Sequence, residues 1–77
     1  MASLDETFDA IVRSILKSPQ IKDTDGPTEI PDWDSMNYLR LIAELEKQFS
    51  LSFTMDEVVE STTIGDLRKI IRSRHNA

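Results

Sequence analysis

The chain has 77 residues, of which 30% are charged, and its formal net charge is −5. A chain of this length forms one small domain with a modest core, so a deep active-site cleft is not expected. It contains no cysteine and one histidine, His75, which leaves almost no material for a disulfide framework, a thiolate metal site or a nucleophilic triad. An enzyme is therefore the least expected class, and the acidic balance disfavours nucleic acid as a partner.

Neither a membrane span nor a secretory signal is visible in the sequence. No apolar run reaches about 18 residues, and the first residues, MASLDETFDA, lack a basic start and an apolar centre. We expect a cytoplasmic domain over residues 1–77 without stable membrane association. Residues 61–77 carry four bases, Arg68, Lys69, Arg72 and Arg74, which we interpret as favourable charge at the C-terminal end of a helix.

The first predicted helix runs from about Leu4 to Lys17. Its apolar residues recur at i, i+4, i+7 and i+8, as in one buried stripe. Ser3 and Glu6 have the spacing of a capping box, in which each side chain binds a free amide at the start of the helix. Pro19 ends the pattern.

Residues 18–34 predict a long loop, because they contain all three prolines and one of the two glycines. We expect Ile21, Ile30 and Trp33 to anchor it to the core. Asp23, Asp25 and Gly26 fit the third, fifth and sixth places of a calcium-binding EF-hand loop. Ile21 at the first place, Asp32 at the twelfth and two internal prolines disfavour that interpretation.

A second helix is predicted from Ser35 to Phe49, after Asp34 as its N-cap. Its apolar stripe consists of Tyr38, Ile42, Leu45 and Phe49, and Leu39 and Leu41 widen the stripe. We therefore expect this helix to be buried on more than one side.

Two more helices are predicted after a short connector at residues 51–53. Thr54 and Glu57 form a second capping-box pattern, which opens a short helix with Val58 and Val59 pointing inward. Thr63 precedes a fourth helix that ends near Arg74; its apolar residues are Ile64, Leu67, Ile70 and Ile71, with Asp66 in the first turn. The fold class is an all-α four-helix bundle, with a short third helix and a long loop between helices 1 and 2.

Ser35 has two interpretations on local chemistry alone. It can be an ordinary residue at the start of a helix. Since Asp34 can supply the cap, its hydroxyl can also be free for modification, and a phosphate there would face unpaired amides and the positive end of the helix dipole.

The segment around Ser35 resembles the Asp-Ser-Leu/Met signature and second helix of the acyl carrier proteins. The residues that carry the resemblance are Trp33-Asp34-Ser35-Met36, followed by Leu39, Leu41, Ile42, Leu45-Glu46 and Phe49. The order of the helices, including the final Thr-Ile-Gly-Asp-Leu, extends it over nearly the whole chain.

The resemblance implies that the protein is a carrier, not an enzyme. Ser35 would accept 4′-phosphopantetheine from coenzyme A through a phosphopantetheinyl transferase, which makes the protein a phosphoprotein, with Asp34 beside the phosphate. The arm ends in a thiol, so acyl groups would travel as thioesters in fatty-acid, polyketide or specialised lipid and secondary-metabolite biosynthesis.

By the same resemblance, the second helix is the surface on which acyl-transferring, condensing or ligase enzymes dock. Met36, Arg40, Glu44 and Lys47 share one helical face. The resemblance adds Ala43, Met55, Asp56 and Val59 as neighbours of the arm. Members serving bulk fatty-acid synthesis commonly have an acidic face here, whereas this chain has Asn37, Arg40, Lys47 and Gln48, with Glu44 and Glu46 remaining. This departure favours a dedicated pathway whose enzymes present a complementary mixed-charge surface.

Two alternatives remain open at this point. A small helical interaction module without a prosthetic group would explain the amphipathic helices equally well. A peptidyl carrier usually has Gly-Gly before the His/Asp-Ser pair, which Trp33-Asp34 fits poorly. We expect a monomer, because the arm of a carrier must visit several enzymes in turn.

Overall fold

The computed structural model describes residues 3–75, which form four helices and no strand. They are α1 (Leu4–Leu16), α2 (Ser35–Phe49), α3 (Met55–Glu60) and α4 (Ile64–His75). The predicted all-α fold, with a long loop after the first helix, is confirmed. Within these residues no helix is long and apolar enough to cross a membrane.

The helix ends follow from local side-chain chemistry. Both predicted capping boxes are present, Ser3 with Glu6 and Thr54 with Glu57. Lys17 and Ser50 adopt the left-handed conformation just after α1 and α2, and each donates its amide to a carbonyl of the preceding turn. Lys17 therefore ends α1 as its C-cap instead of lying inside the helix.

The core is formed by one face of each long helix together with two loop residues. α1 packs against both α2 and α4. The buried apolar residues are Phe8, Val12, Leu16, Ile30, Trp33, Leu41, Ile42, Leu45, Ile64, Leu67 and Ile71. α3 adds only the half-buried Val58. The short helix is thus held against the bundle by few apolar contacts.

Two predicted core positions are wrong. Leu39 is 61% exposed and Val59 is 70% exposed. At 100° per residue, Leu39 lies about 160° around α2 from Leu41, so it turns away from the core that Leu41 fills. Val59 follows Val58 on a helix that meets the core along a single edge. Both apolar side chains are therefore left on the surface.

The C-terminal end of α4 lies close to the predicted position. The helix continues one residue beyond Arg74, to His75. The His75 ring lies edge-on to the Phe49 ring, with a centroid distance of 5.8 Å and an interplanar angle of 80°. The histidine thus packs against the end of α2.

The loop over residues 18–34 is tied to the start of α4. Ile30 and Trp33 are buried and Ile21 is half-buried, as predicted. The amide of Ile64 donates to the Asp25 carbonyl and that of Gly65 to the Asp23 carbonyl, both at 2.9 Å. These contacts satisfy amides that a helix start leaves unpaired. The loop therefore adds to the side-chain cap of α4, in which the Thr63 hydroxyl accepts the Asp66 amide at 3.2 Å, and the loop is held in place by α4.

Arg68 joins α1, the loop and α4. Its guanidinium donates to Asp5 at 3.0 Å, Asp9 at 2.6 Å and Asp23 at 3.0 Å, and it lies 4.7 Å from the centre of the Phe8 ring. Its side chain is 11% exposed. Burial opposes the charge, but the hydrogen bonds to the three carboxylates outweigh it and raise the pKa of Arg68.

The interpretation of the C-terminal bases as helix-end charge is therefore incomplete. Arg68 acts through tertiary ion pairs, and Arg72 donates to the second oxygen of Asp5 at 2.7 Å. Hydrogen bonds from Arg72 and then Arg68 hold the pKa of Asp5 below its usual value. Arg74 reaches α3, where it binds the Glu57 carboxylate and lowers the pKa of that carboxyl. Most of this positive charge is neutralised within the fold.

Candidate functional site

Ser35 is the first residue of α2, and its hydroxyl is exposed. The Asp34 carboxylate accepts a hydrogen bond from the Asn37 amide at 2.8 Å, so Asp34 is the N-cap as predicted. Among residues 3–75 the Ser35 hydroxyl has no hydrogen-bond partner. The cap therefore leaves a free hydroxyl at the positive end of a helix.

The residues just before Ser35 are rigidly held. The Asn37 side-chain amide donates to the Asp32 carbonyl at 2.8 Å, which closes the loop onto the first turn of α2. The Trp33 amide donates to the Ile30 carbonyl at 3.0 Å. The buried Trp33 ring stacks on Tyr38, with a centroid distance of 5.6 Å and an interplanar angle of 21°. The orientation of Ser35 is thus set by both sides of the loop–helix junction.

Tyr38 links this end of α2 to α3. Its hydroxyl donates to the Val58 carbonyl at 2.6 Å. Burial raises the pKa of Tyr38, so the hydroxyl stays protonated as a donor. The apolar spacing placed Tyr38 in the buried stripe, but no local pattern indicated a partner 20 residues away. This hydrogen bond ties α3 to the first turns of α2.

Four large apolar side chains are exposed around this region. Met36, Leu39, Met55 and Val59 are 66%, 61%, 76% and 70% exposed, and we refer to them as the apolar strip. Exposed apolar groups that cluster on one side of a small domain are typical of a surface that another molecule contacts.

Helical spacing places the strip between α2 and α3. On α2, Leu39 is one turn from Ser35 and shares its edge with Glu46, whose carboxylate accepts the Phe53 amide of the α2–α3 connector at 2.8 Å. On α3, Glu57 and Glu60 line a hollow against α4. By helical rotation Met55 and Val59 lie on the opposite edge of α3, and the Tyr38–Val58 hydrogen bond brings α3 next to the first turn of α2.

Most of the predicted site residues lie on the exposed surface of α2 and α3. The exposed ones are Asp34, Ser35, Met36, Arg40, Ala43, Lys47, Met55, Asp56 and Val59. Asn37 is half-buried and holds the loop. Glu44 is half-buried, lines a groove with Ala10, Ile11, Ser14 and Ile15 of α1, and accepts a hydrogen bond from Gln48 at 2.7 Å.

Leu39 is the exposed residue that the sequence pattern missed. The sequence feature that could have indicated its exposure is its position four residues after Ser35, which places the two side chains on one edge of the helix. In the part of the chain that the structure describes, no group of three or more His, Asp or Glu side chains is arranged to hold a metal ion. The site therefore consists of a free hydroxyl beside an apolar surface.

Comparisons with known proteins agree with this geometry. A family model described as a phosphopantetheine attachment site matches residues 6–71. The chain is similar to the solved structure of a candidate acyl carrier protein from Mycobacterium tuberculosis, with a TM-score of 0.84 and 22% sequence identity, over 94% of this chain and 99% of that one. No curated protein sequence matches the chain significantly. At that identity the structural similarity shows the shared fold alone.

Proposed function

Because the chain belongs to the family of carrier domains with a phosphopantetheine attachment site, we propose that Ser35 is the attachment residue and that the protein carries acyl groups. In this family, 4′-phosphopantetheine is the covalent prosthetic group. The observation that supports Ser35 is its exposed hydroxyl at the start of α2, which the Asp34 cap leaves free.

The residues around Ser35 fit such a group. A phosphate on the hydroxyl would meet the positive end of the α2 dipole, which favours an anion. Asp34 adjoins it and is a candidate contact for the metal ion that the transferase uses. The apolar strip beside Ser35 offers a surface for an arm or a partner. The group supplies a thiol, which a chain without cysteine otherwise lacks.

The proposed partners follow from this role. A phosphopantetheinyl transferase with coenzyme A would load Ser35, and acyl-transferring, condensing or ligase enzymes would exchange the acyl group. The protein itself would be a carrier and not an enzyme. Arg40 and Lys47 on the exposed face of α2 favour a dedicated polyketide, specialised lipid or other secondary-metabolite pathway over general fatty-acid synthesis. A single cytoplasmic carrier domain that remains monomeric suits repeated transfer between enzymes.

Intact mass spectrometry tests the attachment site. The protein is incubated with coenzyme A, Mg²⁺ and a broad-specificity phosphopantetheinyl transferase, beside Ser35→Ala and Ser73→Ala. Ser73 is an exposed helical serine on α4, so it serves as the matched control. We expect a gain of one phosphopantetheine group in the parent and in Ser73→Ala, and none in Ser35→Ala.

Other outcomes would contradict the proposal. A gain in Ser35→Ala would mean that another residue is loaded. No gain in the parent, with a known carrier modified in parallel, would favour an interaction module without a prosthetic group. Circular dichroism of each variant shows whether it retains the helical fold.

A further inference from the structure

The two carboxylates of α2 lie at the two borders of its outward face. Glu44 faces the groove against α1 and binds Gln48. Glu46 is half-buried and accepts the Phe53 amide. Arg40 and Lys47, in contrast, are exposed and form no ion pair with any described residue. The centre of the outward face of α2, between these two carboxylates, therefore carries only positive side chains, although the chain as a whole has a net charge of −5.

We propose that Arg40 and Lys47 form a basic docking edge for partner proteins whose contact surface carries carboxylates along one side of an apolar patch. This inference deepens the proposed function and rests on it, since it concerns the enzymes that a carrier must engage. The complementary charge would steer and orient encounter, and the apolar strip would be covered in the complex.

The arrangement of charge around the strip is asymmetric. Arg40 lies on the α1 side of α2, next to Glu44 in helical rotation, and Lys47 shares its face. Across the strip, α3 exposes Asp56. A partner therefore meets a basic edge on α2, an apolar strip, and then an acidic residue on α3. Rotating the partner by half a turn would oppose like charges, so the pattern specifies one docking orientation.

A protein partner fits this surface better than an anionic membrane. Among residues 3–75, two bases without an ion pair, Arg40 and Lys47, border the strip, while Asp34 and Asp56 are exposed beside it. A continuous anionic surface would attract the two bases but repel these carboxylates and the net negative domain. A protein can place its carboxylates opposite Arg40 and Lys47 alone.

The test uses two synthetic amphipathic peptides as probes. Both have the same stripe of leucine and phenylalanine, with glutamate along one side of the stripe in one peptide and lysine along that side in the other. Amide chemical shifts of the isotope-labelled protein report where each peptide binds and how tightly. At low salt we expect the glutamate peptide to bind about threefold to tenfold more tightly and to shift residues 36–47 of α2. In about 1 M salt, where the Debye length is about 3 Å, the preference should largely disappear.

Charge-reversed variants supply the decisive comparison. Arg40→Glu/Lys47→Glu should reverse the preference between the peptides. Lys17→Glu/Lys22→Glu changes the net charge equally at exposed residues outside α2, and it should keep the preference. An unchanged preference in the first variant, shifts outside α2, or equal effects of both variants would overturn the inference.

Two further measurements distinguish a protein partner from a membrane, and the docking edge from the attachment site. Tight binding to anionic phospholipid vesicles, lost in Arg40→Glu/Lys47→Glu, with no preference between the peptides, would overturn the protein-partner assignment in favour of a membrane. The peptide assay needs no prosthetic group, and loading of Ser35 is measured separately by mass. Failure of the docking edge and failure of the attachment site are therefore distinguishable.

Discussion

Replacing Arg68 by methionine removes a buried guanidinium but keeps an unbranched chain that can still contact Phe8. In the native fold this guanidinium donates to Asp5, Asp9 and Asp23. The variant leaves these three carboxylates without the cation between them, so their mutual repulsion is no longer offset. We expect α1 and the loop to be held less tightly against α4.

The size of the effect depends on solvent exposure. Hydrogen bonds to charged groups contribute about 1.5–3 kcal/mol when buried, and exposed ion pairs only about 0.2–1 kcal/mol. The three aspartate side chains are 30–59% exposed and regain water when released. We therefore expect a total loss of about 2 kcal/mol in the free energy of unfolding, which corresponds to roughly 8–16 °C in Tm for a domain of this size.

Urea unfolding followed by circular dichroism measures this loss. Arg72→Met is the matched control, because Arg72 is 55% exposed and pairs with Asp5 alone among the described residues. Its loss should stay within about 0.5 kcal/mol. Equal losses in the two variants, or a loss below about 0.5 kcal/mol for Arg68→Met, would refute the assignment of Arg68 as the joint between α1, the loop and α4.

Two further predictions concern the start of α4, where the loop meets the residues that precede this helix. In Gly26→Ala the new Cβ would lie 2.5 Å from the Thr62 carbonyl oxygen, so the free energy of unfolding should fall by about 1–3 kcal/mol. In Gly65→Ala the Cβ would lie 3.0 Å from its nearest neighbour, so the loss should be smaller. The reverse order of the two losses in urea unfolding would contradict this packing. The hydrogen bond from the Thr62 amide is the largest of the effects that lower the pKa of Asp66. Ionised Asp66 therefore stabilises the fold fully above the ordinary aspartate pKa of about 3.9. That contribution is lost as the pH falls through the lower pKa that Asp66 has in the folded state. Asp66→Asn should therefore lose less stability than the parent between neutral pH and about pH 2, and equal losses in thermal melts would show that Asp66 contributes no such linkage.

Features set within a few residues were predictable from the sequence. The capping boxes of Ser3 with Glu6 and of Thr54 with Glu57 lie within one helical turn, so their spacing alone indicated where α1 and α3 begin. Asp34 as the cap of α2 followed from the same rule. The period of the apolar residues indicated four helices, because a helix in a small domain must bury one stripe.

The surface at the candidate site was only partly predictable. The free hydroxyl of Ser35 followed from the presence of Asp34, and this local inference needed no tertiary contact. The exposure of Leu39 and Val59 depended on which edge of each helix meets the core. The same apolar residue type occurs in a core and on a docking surface, so residue identity alone does not tell the two environments apart.

Tertiary structure alone decided the contacts that hold the elements together. Arg68 binds Asp23 and Asp5 across 45 and 63 residues of chain, and Tyr38 binds the Val58 carbonyl across 20. A side chain carries its donors in every conformation, but its partner exists only once the chain has brought distant segments together. The sequence by itself thus determined the helices, their N-caps and the free serine. Packing determined which charges are neutralised inside the domain and which remain available to a partner.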